Sequence, residues 1–167
     1  MIKKLFIHRS LPEMYNIDVG DDNKIYTEAS GKKDGIPIIF VHGGPGGQCR
    51  SEHHSLFNPQ IFRSIIFDQR GCGKSIPYRS LEGNNTENLV EDIEKIRDFF
   101  KIKKFLIVGG SWGATLAIKY ALKFPKNLIG VLLRSVFLGT INEINWAFID
   151  GPKNFACLLY TSPSPRD

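Results

Sequence analysis

A chain of 167 residues supports one globular domain with a real core and is too short for two ordinary ones. Its 42% hydrophobic and 23% charged residues, mixed without long blocks, exclude an intrinsically disordered chain. The net charge of +5 comes from lysines and arginines scattered among acids, which argues against a nucleic-acid-binding surface.

In chain order, "MIKKLFI" is too short an apolar run for a signal-peptide core, and no stretch approaches the ~20 residues of a membrane span, so a cytoplasmic location is expected. "KIYTEAS" (24–30) ends at Gly31 and reads as an outer strand, while the β-branched run "IPIIFV" (36–41) reads as a buried central one. A third strand, "SIIFD" (64–68), closes at a polar loop containing Gly71 and Gly73. From Asn84 to Phe100, Leu89, Ile93, Ile96 and Phe100 recur at helical spacing between charged residues, with Asn84 and Glu87 as the expected cap. "FLIVG" (105–109) is a strand, Trp112 to Lys123 a helix stopped before Pro125, and "LIGVLLRS" (128–135) a further strand. Strands and helices in alternation imply an α/β fold: a mostly parallel sheet with flanking helices.

Gly109-Gly110-Ser111-Trp112-Gly113 satisfies G-x-S-x-G with a strand before it and a helix after it. That context seats a nucleophilic serine on a sharp, strained turn, where Gly109 and Gly113 leave room and the N–H of Trp112 points at a developing oxyanion. The competing reading makes Ser111 a helix-capping serine. Upstream, "FVHGGPGGQ" (40–48) turns backbone N–H groups towards a ligand, and its second oxyanion donor is expected to be Gly44, with Gly43 the alternative. His42 is expected to be a structural hydrogen-bonding residue beneath that loop.

The end of "DQRGCGKS" (68–75) copies a phosphate-binding loop, but Asp68 replaces its first glycine and Ile-Pro follows Ser75 where a helix is needed. Asp68, Arg70 and Gly73 are therefore expected to structure the loop near the site. Cys49, Cys72 and Cys157 show no CxxC spacing, so neither a disulfide framework nor a metal site is expected, and no cofactor is implied. A serine nucleophile needs a base, yet His8, His42, His53 and His54 all precede Ser111. Downstream acids are limited to Glu143, Asp150 and Asp167.

Taken together, "HGGPGG", "DQRGCGKS" and "GGSWGATLA", in that order, resemble the proline iminopeptidases of the α/β-hydrolase superfamily, with "GDDNKIYTEASGKKDGIPIIFVHGGPGG" and "LLRSVFLG" extending the likeness from about Leu11 to about Ala156. The resemblance implies an α/β-hydrolase fold and a serine aminopeptidase that releases N-terminal proline from peptides through an acyl-enzyme. It also implies Ser111 as nucleophile and the N–H groups of Trp112 and Gly44 as oxyanion hole. In that family the chain continues through a helical cap, whose carboxylates hold the substrate's amino terminus, and two more strands bearing the catalytic Asp and His. None of these has a counterpart here, so residues 1–156 are expected to be the N-terminal part of such a domain, truncated before the cap and the last strands. The strand at 128–135 would then be an exposed apolar edge. The tail "CLLYTSPSPRD" (157–167) resembles one reading frame of a transposase-type sequencing adapter and is expected to be non-native; sequencing reads that cross Ala156 into natural coding sequence would contradict this. An esterase or amidase of the same fold, or a non-catalytic binding protein, are the other functions considered.

Overall fold

The computed structural model describes residues 5–151, and the chain divides into two units, Met1–Val136 and Phe137–Asp167. Residues 157–167, with Cys157, lie outside the described residues.

In the first unit, period-two alternation in "EMYNIDVG" turns Tyr15, Ile17 and Val19 inward and Met14, Asn16 and Asp18 outward, giving strand β1 (Glu13–Gly20). Asp21 and Asp22, at φ 53° and 56°, turn the chain back into β2 (Asn23–Gly31). Two left-handed residues in succession match the right-handed twist of a hairpin, and aspartate tolerates that conformation better than most residues do. Strands β3 (Ile36–Val41), β4 (Phe62–Phe67), β5 (Phe105–Ser111) and β6 (Leu128–Val136) complete a six-stranded sheet in the order β1-β2-β4-β3-β5-β6. The β4-β3-β5-β6 block is parallel, and β1 and β2 join it antiparallel. The segment at 24–30 is thus not an outer strand: it pairs on both sides, because Glu13–Gly20, which the sequence reading passed over, takes the edge.

Helix α1 (Thr86–Phe99) and helix α2 (Trp112–Lys123) form the main core with the sheet. Ile25, Ile39, Ile65, Phe67, Phe105 and Ile107 meet Ile93, Ile96, Leu116 and Tyr120, all buried. Burying each such side chain stabilises the fold by roughly 1.5–3 kcal/mol. The cap of α1 is Asn85 rather than Asn84: the Asn88 backbone N–H donates to Asn85 Oδ1 at 2.9 Å, while Asn84 Nδ2 donates to the Arg70 carbonyl at 3.0 Å.

The sheet carries a buried polar cluster that sequence reasoning missed. Ser64 Oγ donates to the Ser30 carbonyl (3.3 Å) and so accepts from His54 Nδ1 at 2.7 Å. That leaves His54 Nε2 without a proton and without a hydrogen bond, 3.6 Å from Glu28 Oε2. Glu28 in turn accepts from Tyr26 Oη at 2.7 Å and Ser51 Oγ at 2.9 Å, tying the short helix Ser51–Leu56 to β2. Burial pushes the His54 imidazole down to about 4. An unfolded histidine titrates near 6.5, so the unfolded chain takes up this proton first. Stability is therefore full above about pH 6.5 and declines as pH falls towards 4, by on the order of 3 kcal/mol at 1.36 kcal/mol per unit. Urea titrations between those pH values should show this slope, and His54→Gln should flatten it.

At the other end of the sheet β6 is the outermost strand among the described residues, and Ile129, Val131, Leu132 and Val136 are exposed on it. In the second unit Thr140 and Glu143 form a reciprocal capping box at helix α3 (Ile141–Asn145), which continues into a π-helical turn, Trp146–Asp150. No helix among the described residues is long and apolar enough to cross a membrane.

Candidate active site

Strand β5 ends at Ser111 and helix α2 begins at Trp112, so one residue makes the reversal. Ser111 does so at φ 55° and ψ −124°, a conformation that costs a side-chain-bearing residue about 1–3 kcal/mol. The close approach requires glycine on both sides. A Cβ at Gly109 would lie 2.2 Å from the Gly113 carbonyl oxygen, and one at Gly113 would lie 2.2 Å from that of Val41 and 2.7 Å from that of His42. Helix α2 therefore sits directly against the end of β3. Gly113→Ala should destabilise the fold by at least about 1–3 kcal/mol, the usual cost of overpacking against backbone, measurable as a lowered urea midpoint.

The Ser111 side chain is exposed and forms no capping hydrogen bond to α2, which removes the reading of it as a helix cap. It opens on a cleft of about 530 Å³ shared with Gly43, Gly47, Arg50, His53 and Arg134. Gly43 packs against the serine: a Cβ there would sit 3.2 Å from Ser111 Cβ and 3.0 Å from the Gly110 carbonyl oxygen. Gly44, the expected oxyanion donor, does not line this cleft, whereas Gly43 does. Trp112 is half-buried against the core, and its backbone N–H belongs to the first turn of α2, where helix geometry provides no internal acceptor.

His42 is buried with both ring nitrogens engaged. The Gln69 backbone N–H donates to Nε2 at 3.1 Å, so Nδ1 carries the proton and donates to the Gly43 carbonyl at 2.7 Å. Burial lowers its pKa, in keeping with this neutral form. His42 braces the glycine loop and has no nitrogen left for Ser111. His53 lines the cleft, stacks on Phe40 at 4.7 Å and accepts from the Arg50 backbone N–H at Nδ1 (3.1 Å). Among the described residues no histidine is hydrogen-bonded to Ser111.

The loop after β4 is built on Asp68. Its carboxylate accepts from the backbone N–H of Cys49 (2.6 Å) and of Lys74 (2.8 Å), and its carbonyl accepts from Ser75 Oγ at 2.7 Å. Gly73, at φ 51°, leaves the space this carboxylate fills: a Cβ there would fall 2.1 Å from Asp68 Oδ2. The amides that a phosphate loop would offer are taken by a carboxylate, and no helix follows until Thr86. Arg70 turns away from the cleft. It is buried, gives Asp92 a bidentate pair (Nε to Oδ2 2.7 Å, Nη2 to Oδ1 2.9 Å) and reaches Asp21 at 3.2 Å. It joins α1 to the β1–β2 turn and does not line the site. Cys49 and Cys72 are free thiols whose pKa values burial raises. Among the described residues no three His, Cys, Asp or Glu side chains converge as a metal site.

Residues 36–148 match a family model described as the alpha/beta hydrolase fold. This chain belongs to the α/β-hydrolase family. Within that family it is 46% identical over 136 residues to a proline iminopeptidase of Arabidopsis thaliana, covering 81% of this chain and 36% of the relative. It is 48% identical over 130 residues to a proline iminopeptidase of Neisseria gonorrhoeae, covering 78% and 42%. The crystal structure of a proline iminopeptidase-related protein from Thermus thermophilus superposes with a TM-score of 0.64 at 28% identity, over 74% of this chain and 44% of that one. This α/β-hydrolase chain thus spans less than half the length of the curated relatives it matches.

Proposed function

We propose that this chain is the nucleophile-bearing part of a serine aminopeptidase that releases N-terminal proline from peptides. The observation that carries this reading is the Ser111 turn: an exposed hydroxyl held at positive φ between two glycines that admit no side chain, facing the HGGPGG loop. The 46–48% identity to proline iminopeptidases supports the substrate class.

Ser111 Oγ attacks the carbonyl of the N-terminal residue, and its proton passes to a base as the tetrahedral oxyanion forms. The Trp112 N–H and one N–H of the Gly43–Gly44 pair take the negative charge, each such donor contributing roughly 2.7–4 kcal/mol in comparable sites. The peptide departs with a proton, and water then releases proline from the acyl-serine. His42 keeps the glycine loop in place, and Asp68 fixes the adjoining Cys49 and Lys74 segments. The base and its carboxylate partner are assigned to sequence beyond residue 156, with the cap that holds the substrate's amino group. Residues 157–167 are read as non-native, and the enzyme as cytoplasmic and independent of cofactors and metals.

A panel of aminoacyl-arylamides, offered to the product of the uninterrupted natural gene, tests the specificity. Fastest turnover of the prolyl compound supports the reading; preference for simple esters over every arylamide contradicts it.

A further inference from the structure

We propose that Gln69 is a positioning residue of the oxyanion hole: it holds the Gly43–Gly44 peptide through His42 and touches no substrate itself. This role rests on the reading of Ser111 as the nucleophile of an acyl transfer. Gln69 and His42 are both buried, and of the two only His42 lines the cleft. The His42 carbonyl lies past the last paired residues of β3, which are Phe40 towards β4 and Val41 towards β5. It is packed against α2, since a Cβ at Gly113 would fall 2.7 Å from it. A buried carbonyl there needs a donor from outside the ladder, and Gln69 Nε2 supplies it at 2.8 Å.

The same residue sets the ring. Its backbone N–H donates to His42 Nε2 at 3.1 Å, which leaves the proton on Nδ1. Gln69 Nε2 also lies 3.2 Å from Nδ1, but both nitrogens carry protons, so that contact is packing. The acceptor left for the Nδ1 proton is the Gly43 carbonyl, at 2.7 Å. This carbonyl is enclosed: a Cβ at Gly47 would fall 2.3 Å from its oxygen and 3.1 Å from His42 Nδ1. The Gly43–Gly44 bond is trans, so the Gly44 N–H points the opposite way from that carbonyl. Rotating the peptide would exchange the N–H for a carbonyl oxygen, which repels an oxyanion instead of binding it. Glycines on both sides of the bond offer little resistance to that rotation. The restraint comes from the bond to His42 and, behind it, from Gln69, whose own carbonyl is held by the Cys72 N–H at 3.0 Å.

Steady-state kinetics of Gln69→Leu in the full-length enzyme proposed above test this. An oxyanion donor acts in the transition state, so kcat is expected to fall about 10²-fold with KM within about threefold of the parent. His42→Ala should lose a comparable amount and the double variant little more, because both residues act on one peptide. In the 167-residue chain, the His42 Nδ1 proton followed by NMR should exchange with water faster in Gln69→Leu than in the parent. Should Gln69→Leu fail to fold, Gln69→Glu keeps the shape and removes the donor, with the same loss of kcat expected. An unchanged kcat in a folded variant, a rise in KM in place of the fall in kcat, or additive losses in the double variant overturns the role of Gln69. A parent that prefers an ester to every arylamide overturns the proline specificity alone, and the same comparison on that ester still decides Gln69; a parent that hydrolyses neither overturns both.

Discussion

The 167-residue chain is expected to hydrolyse a prolyl-arylamide no faster than its own Ser111→Ala variant. A serine hydroxyl needs a base within hydrogen-bond reach, and the described histidines are engaged elsewhere: His42 through both nitrogens, His54 with Ser64, His8 with Ser30 and the Phe57 carbonyl. His53 shares the cleft but accepts from its own helix terminus, and it makes no hydrogen bond to Ser111. Losing the serine or its base in a triad enzyme costs about 10⁶-fold in kcat and leaves only the roughly 10³–10⁴-fold over water that binding and the oxyanion hole supply, which the Ser111→Ala variant shares. Hydrolysis clearly above the variant's would show that a base is present after all, with His53 the first residue to replace.

Arg70→Met is expected to cost about 3–5 kcal/mol of stability, the usual effect of leaving one member of a buried ion pair without its partner. Arg70 and Asp92 are 2% and 1% exposed at their side chains, and two hydrogen bonds join them. Removing the guanidinium strands the Asp92 carboxylate beneath α1 and also releases the β1–β2 turn held through Asp21. Replacing both partners, Arg70→Met with Asp92→Leu, should recover much of the loss, since an apolar pair of similar volume carries no desolvation penalty. Equilibrium urea unfolding separates the cases. A single variant within about 0.5 kcal/mol of the parent would place this pair among the ordinary surface contacts.

The two variants probe different kinds of legibility. The Ser111 turn could be read because its physics is local: a serine forced through positive φ between close-packed elements needs glycines at fixed offsets, and a five-residue window carries them. The parallel strands were equally plain, since Ile36–Val41 and Phe105–Val108 are continuous apolar runs of the kind a sheet buried on both faces requires. Strand β1 carried a signal too, in the alternation of Tyr15, Ile17 and Val19 and the Gly-Asp-Asp-Asn turn after it, and overlooking it misplaced 24–30 at the edge. The role of Arg70 was not legible, because its partner lies 22 residues away on a helix face where Asp92 looks like one more solvated charge. The Glu28–His54–Ser64 cluster was hidden for the same reason: alternation marks Glu28 as outward, and only the segment folding over that face buries it. The choice between Gly43 and Gly44 depends on which backbone segment turns into the cleft, which residue type does not encode.

Fluorophosphonate labelling of the full-length enzyme proposed above, read by peptide mass spectrometry, tests the role of Ser111 most directly. The result predicted here is a single adduct on Ser111, lost in Ser111→Ala and blocked by prior reaction with a prolyl substrate analogue. An adduct on another residue, or a folded protein that takes no label at Ser111, would contradict it.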